Sequence, residues 1–180
     1  MKGTSHTLVG SAESTPLPRT VLADVPFDFK NKASRAAAVN YYKTMTLEET
    51  REYAFPHDEA SCLLLFWCWN PVIPECIEII EAWGFTYKGL ITWVKPHMGL
   101  GNYARNATEH MIVAVKGRVK RRVSARRYLT WFIAETRGHS RKPEQQYDYA
   151  EALGWPPYLE LFARRSRLGW LSIGNELPTS

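Results

Sequence analysis

The chain has 180 residues and a formal net charge of +5, from 23 Lys and Arg against 18 Asp and Glu. Hydrophobic residues make up 45% and aromatics 13%, which excludes a disordered polymer and predicts one domain around a single sizeable core. No apolar run approaches the roughly 18 residues that span a bilayer, and Met1 to Pro18 is polar without an apolar signal core, so a soluble intracellular protein with no membrane partner is expected.

Met1 to about Arg19, rich in Ser, Thr, Gly and Pro, is read as a flexible leader before a single domain over residues 20–180. Thr20-Val21-Leu22-Ala23 reads as a short buried strand stopped by Pro26. The following Asp24-Val25-Pro26-Phe27 combines a carboxylate, a rigid carbonyl and an aromatic ring. Ligands of open α/β sheets sit beyond the carboxyl ends of the strands. There a carboxylate and a carbonyl can accept the hydrogens of a planar amine while a ring stacks on its base. The same four residues also fit an ordinary strand running into a proline turn, with Asp24 as a cap.

Lys30 to Asn40 is polar and small and is read as a mobile loop with one helical turn. Thr46 followed by Glu49 has the form of a capping box and predicts a short helix from Leu47. Ser61 to Trp69 is the most apolar run and predicts a central, doubly buried strand stopped by Asn70-Pro71. Pro74 to Trp83 predicts a helix begun by proline and ended at Gly84. Phe85 to Val94 predicts the next strand, His97 to Thr108 a long loop, and Met111 to Val115 another strand. Trp67, Trp69 and Trp93 are expected in the core. Cys62, Cys68 and Cys76 lack zinc-like pairing and are read as buried, reduced thiols, so no metal site is expected.

Seven basic residues then follow without one acid: Lys116, Arg118, Lys120, Arg121, Arg122, Arg126 and Arg127. Such a run fits a polyanion partner or a solvated face. Tyr128 to Glu135 is read as extended and Arg137 to Lys142 as a polar loop. Pro143 to Leu153 predicts a helix closed by Gly154, and Tyr158 to Ala163 and Trp170 to Ile173 predict the last strands. Strands alternating with helices predict an α/β sandwich around a mostly parallel sheet.

Several pieces, in this order, resemble the adenine 6-amino methyltransferases of the MT-A70 family. Asp24-Val25-Pro26-Phe27 stands where that family has Asp-Pro-Pro-Trp after a strand. Tyr42-Lys43-Thr44-Met45 is similar to its Tyr-x-Thr-Met, Leu65-Phe66-Trp67 to its Leu-Phe-Leu-Trp strand, and Trp93-Val94-Lys95 to its Trp-Val-Lys. Glu109-His110 precedes the next strand as in the family. Ser140-Arg141-Lys142-Pro143-Glu144 is similar to Ser-His-Lys-Pro-Asp/Glu, Glu160-Leu161-Phe162-Ala163-Arg164 to Glu-Leu-Phe-Gly/Ala-Arg, and Gly174-Asn175-Glu176 to Gly-Asn-Gln/Glu.

The resemblance covers about Thr20 to Glu176 and implies a seven-stranded Rossmann-like sheet in permuted order, catalytic strand first and cofactor strand near the end. It implies S-adenosylmethionine as cofactor, with Asp24 facing both its methionine part and the target amine and Lys142 reaching its carboxylate. Glu160, Arg164, Ser166, Asn175 and Glu176 match positions that hold the ribose and adenine of the cofactor. Ser166 and Arg167 replace the His and Asn of the best-known member. Asp24, with a carbonyl of Val25 or Pro26, is the expected acceptor of the amine hydrogens, and Phe27 with Tyr42 the expected clamp on the base. The nucleic acid, DNA ahead of RNA, would lie on the basic run, in the cytoplasm of a bacterial or phage-infected cell beside the nucleoid. Val25 and Phe27 depart from the family motif, which also admits a degenerate protein that binds without turnover. An unrelated α/β protein whose basic run serves a phosphorylated ligand is the remaining alternative.

Overall fold

In the computed structural model, residues 16–27, 44–99, 101, 103–136, 141–174 and 177 are described. Seven strands form one sheet: β1 Thr20–Ala23, β2 Ser61–Cys68, β3 Thr86–Val94, β4 Thr108–Gly117, β5 Trp131–Ile133, β6 Tyr158–Leu161 and β7 Trp170–Ile173. Their order is β5-β3-β4-β2-β1-β6-β7. β1 pairs in parallel with β2 and β6, β6 with β7, and β3 with β5. β4 runs antiparallel to both β2 and β3, so the sheet is mostly parallel with one inverted strand. Among the described residues three α-helices accompany it, α1 Leu47–Arg51, α2 Ile73–Ala82 and α3 Gln145–Leu153, with 3-10 turns over Asn70–Val72 and Val123–Arg127.

Alternation in the central strands divides their side chains between two cores. Val21, Ala23, Leu64, Phe66, Leu159 and Leu161 face α2 with its Cys76, Ile79 and Ile80. Leu22, Leu65, Trp67, Met111 and Trp93 face α3 with Tyr147, Tyr149 and Ala150. β2 is buried at seven successive positions because both faces are covered. That is why its sequence is continuously apolar rather than alternating. Cys62, Cys68 and Cys76 are free and buried, and burial pushes the Cys62 thiol up to about 12.

The capping box forms as expected: Thr46 accepts from Glu49 N at 3.2 Å, and Glu49 accepts from Thr46 N at 2.8 Å. α2 begins one residue before the expected Pro74, on a 3-10 turn over Asn70–Val72. β4 is longer than the expected Met111 to Val115 because hydrogen-bonded register with β2 and β3 extends it to Thr108 and Gly117. Of the expected leader, residues 16–19 are described and docked. Pro18 is buried, its carbonyl accepts from Asp58 N, and Arg19 N donates to Pro157 O at 2.9 Å. The expected loop over Lys30 to Asn40 lies outside the described residues. At the amino edge of the sheet, a Cβ on Gly154 would lie 2.1 Å from Thr20 Oγ1, so only glycine lets α3 end against β1. Among the described residues, no helix is long and apolar enough to cross a membrane.

Candidate active site

The site lies at the carboxyl edge of β1. Pro26 has no amide hydrogen to continue the ladder, and Phe27 N donates to Val25 O at 3.0 Å, closing a tight turn around it. Met45 N donates to Pro26 O at 2.8 Å. Val25 is buried in the core under α2, and the half-buried Phe27 packs 6.0 Å from the Phe66 ring. With Val25 and Phe27 turned to the α2 side, Asp24 continues the Leu22 side of the strand and faces the α3 layer.

There it heads a row of four charges. Lys142 Nζ lies 3.0 Å from Asp24 Oδ1 and 3.4 Å from Glu109 Oε2, and Lys95 Nζ donates to Glu109 Oε1. Lys142 comes from the segment just before α3. Lys95 follows β3 and Glu109 opens β4, in register opposite Trp93. Two indoles form the floor. Lys142 Nζ sits 5.4 Å from the Trp67 ring centre and Lys95 Nζ 4.7 Å from that of Trp93. The two rings meet edge to face at 6.1 Å. Trp67 Nε1 donates to Gln146 Oε1 and Trp93 Nε1 to Ala134 O, both at 2.8 Å, which fixes the rings and hence the cations over them.

Burial alone would lower the Lys142 ammonium, but Asp24 and Glu109 outweigh it and hold its pKa above the usual lysine range. Burial alone would raise Glu109, yet Lys142 and Lys95 hold it below the usual carboxylate range. Glu109 and Lys142 are thus both held in their charged forms at neutral pH.

Glu160 lies beside Leu22 in register on β6, on the same face as Asp24. Tyr147 Oη donates to Glu160 Oε2 at 2.9 Å. Burial drives the Glu160 pKa up, with the Asp24 charge adding to it, against the lowering contacts from Tyr147 and Arg165. Burial and then Glu160 push the Tyr147 phenol up to about 12. Beyond β6, Phe162 has φ 60°, a left-handed conformation that an aromatic residue rarely adopts. Ala163 N donates to Ile173 O at 2.9 Å, and a Cβ on Gly174 would come within 2.0 Å of Ala163 O. The loop after β6 is therefore pressed against the end of β7, which explains glycine at that position. Arg164 and Ser166 are exposed on this loop. Arg165 bonds Glu144, and Arg167 stacks 4.1 Å from the Tyr147 ring centre.

The structure thus brings Asp24, Pro26, Phe27, Lys142 and Glu160 to one edge. Lys142, expected at a cofactor carboxylate, is here the partner of Asp24. Tyr42, Asn175 and Glu176 lie outside the described residues. Glu109 and Lys95 were absent from the expected site residues. Their signal was present in Trp93-Val94-Lys95 and Glu109-His110, but only the antiparallel register of β3 and β4 makes them neighbours. On the opposite face, buried His110 places Nδ1 3.1 Å from Thr92 Oγ1 and bonds Asn70 Oδ1 through Nε2. Asn70 Nδ2 donates to Asn106 Oδ1 and Thr108 Oγ1 at 2.9 and 3.1 Å, tying down the turn after β2. Burial lowers the His110 pKa although Glu109 pulls it upward.

The basic run divides into two kinds of residue. Lys116 is half-buried, 2.6 Å from Glu59 Oε2 and donating to Trp83 O. Arg122 caps the end of α3, donating to Glu151 O, Gly154 O and Tyr158 Oη. Arg118, Lys120, Arg121, Arg126 and Arg127 are exposed. Among the described residues no group of three His, Cys, Asp or Glu could hold a metal ion.

Similarity to known proteins follows the same segments. A probable N(6)-adenosine-methyltransferase, MT-A70-like, of Oryza sativa subsp. japonica is 29% identical over 170 residues, covering 87% of this chain and 22% of the rice protein. An N(6)-adenosine-methyltransferase, MT-A70-like, of Arabidopsis thaliana is 30% identical over 170 residues, covering 87% of this chain and 23% of that protein. The type II methyltransferase M.MunI of a Mycoplasma species is 30% identical over 154 residues, 83% of this chain and 66% of its own length. The chain therefore spans under a quarter of the plant relatives and about two thirds of the bacterial one. Its seven-stranded α/β sheet carries the site on a stretch inside residues 18–176, which match the MT-A70 family model, and the chain belongs to the MT-A70 family.

Proposed function

We propose that the chain transfers a methyl group from S-adenosylmethionine to the exocyclic 6-amino group of adenine in nucleic acid, DNA ahead of RNA. The observation that carries the reading is the Asp24 carboxylate, held by Lys142 at the carboxyl edge of a central parallel strand. DNA is placed first because the Mycoplasma methyltransferase is the relative matched over most of its own length. In this reading β1 supplies the catalytic motif and β6, late in the chain, the cofactor strand, which is the permuted order of the resemblance. The cytoplasm of a bacterial or phage-infected cell, beside the nucleoid, is where such a substrate is met.

The residues present fit the cofactor. Glu160 is a half-buried carboxylate whose Oε2 is taken by Tyr147, leaving Oε1 to accept from a ribose hydroxyl. Lys142 and Asp24 offer a cation and an anion side by side, the complement of an amino acid's carboxylate and ammonium. Arg164, Ser166, Asn175 and Glu176 complete the proposed cofactor set. When bound, S-adenosylmethionine supplies a methyl group made electrophilic by its sulfonium.

The adenine amine is a weak nucleophile because its lone pair is delocalised into the ring. Asp24 accepts one of its hydrogens. The carbonyl of Val25 or Pro26 accepts the other: each already takes one backbone N–H and retains a second lone pair. Both contacts turn the nitrogen lone pair out of the ring and hold the base in line for attack. Phe27, backed by Phe66, stacks on the base, with Tyr42 as the second side of the clamp, after the base has left its helical stack. The exposed arginines and lysines of the basic run contact phosphates. The test is methyl incorporation into DNA and RNA oligomers with base analysis of the product. Label confined to 6-methyladenine supports the reading. Cofactor binding without transfer to either polymer replaces it with that of a binding protein, which the Val25 and Phe27 departures would then explain.

A further inference from the structure

The exposed part of the basic run is a built surface at the opposite end of the fold from Asp24. Arg122 donates to Glu151 O and Gly154 O at 2.7 and 3.0 Å and stacks 4.8 Å from the Trp155 ring centre. Ser124 Oγ donates to Ala152 O, and Trp155 Nε1 to Lys120 O, at 2.8 and 2.9 Å. These bonds pin the segment as an arch across the carboxyl end of α3. Arg121 and Arg126 then face a cavity of about 180 Å³, with Arg122 fixed beside them. The backbone that carries the cations is held in place before any partner arrives, unlike that of a solvated tail, and no acid interrupts the run from Lys116 to Arg127.

The register gives its distance from the reacting amine. Gly117, just before the arch, pairs with Ser61, and Ala23, just before Asp24, pairs with Phe66. Asp24 stands one residue beyond Ala23, so six residue steps along the strands separate its level from that of Gly117, about 20 Å at 3.3 Å per residue. A stacked strand advances 3.4 Å per nucleotide, so the separation corresponds to about six nucleotides.

We infer that this arch is a distal phosphate clamp, gripping the nucleic-acid backbone about six nucleotides to one side of the target adenine and setting a minimum substrate length. The inference rests on the nucleic-acid reading above and gives that reading a polarity and a ruler. Arg121 and Arg126 seat a phosphate, Arg118, Lys120 and Arg127 extend the track, and Arg122 positions them.

The experiment uses fluorescein-labelled oligomers, duplex and single-stranded, with one adenine and flanks lengthened by two nucleotides at a time on either side. Affinity is read by anisotropy, so it needs no turnover. The clamp predicts a rise of at least tenfold as one flank, and not the other, grows from four to eight nucleotides. In the Arg121→Gln/Arg126→Gln/Arg127→Gln variant, which keeps Arg122, that rise disappears and the salt slope on long oligomers falls by about 2–3. A gradual rise on both flanks, or an equal loss on short and long oligomers, overturns the clamp. Methylation without a length step refutes the clamp alone, and a length step without methylation refutes the enzymatic reading alone.

Discussion

Replacing Lys142 with Met removes the cation that separates Asp24 from Glu109 and leaves two carboxylates facing across its place. At 3.0 Å and an effective dielectric of about 20, the Asp24–Lys142 attraction alone amounts to about 5–6 kcal/mol. Taking both groups out of water offsets most of it. The residual coupling in a double-mutant cycle should be about 1–3 kcal/mol. Lys142→Met alone should destabilise by about 2–3 kcal/mol, because it leaves the half-buried Asp24 and Glu109 carboxylates without their shared cation. Asp24→Asn should do so by less, because Glu109 still pairs with Lys142. The double variant should recover part of the sum. Urea unfolding of the four proteins measures this, since a change of 2 kcal/mol moves the midpoint by about 1 M. Additivity within about 0.5 kcal/mol would refute the coupled row.

Further expectations concern the same edge. Glu160 is held above the usual carboxylate range, so its ionised form opposes folding at neutral pH and ceases to as pH falls through its raised folded pKa. Glu160→Gln should therefore raise the thermal midpoint at pH 7 while weakening S-adenosylmethionine binding in calorimetry. Glu109 is lowered and Lys142 raised. The row's stabilisation is present between the ordinary values of 4.5 and 10.5, and is lost as pH falls through the folded Glu109 value or rises through that of Lys142; thermal melts across pH should show both edges, and Glu109→Gln should flatten the acid one. Val25→Pro with Phe27→Trp restores the family motif, and should speed transfer or tighten adenine binding by about 1 kcal/mol through preorganisation and stacking. Unchanged kinetics would show that neither departure limits the site.

The strands were legible because burial on both faces writes continuous apolar runs, as in Ser61 to Cys68, and the capping box at Thr46 announced α1. Asp24 was legible as a carboxylate between a strand and a proline. What the linear order hid was register. Nothing local to Lys95 or Glu109 pairs them until β4 turns antiparallel against β3, and Lys142 meets Asp24 only because α3 crosses the sheet beside β1. Charge counting likewise treated Lys116 and Arg122 as equals of Arg121 and Arg126. A cation that caps a helix and one that faces solvent have the same letter, and only the end of α3 at Gly154 distinguishes them.

In the proposed mechanism Asp24, held by Lys142, orients an adenine amine for methyl transfer. The direct measurement is mass spectrometry of nucleosides from DNA and RNA oligomers incubated with S-adenosylmethionine and either the natural protein or Asp24→Ala, with circular dichroism to confirm that both fold. The natural protein should yield 6-methyladenine, and the folded Asp24→Ala variant none above background. A folded variant that methylates adenine at the original rate would contradict that mechanism.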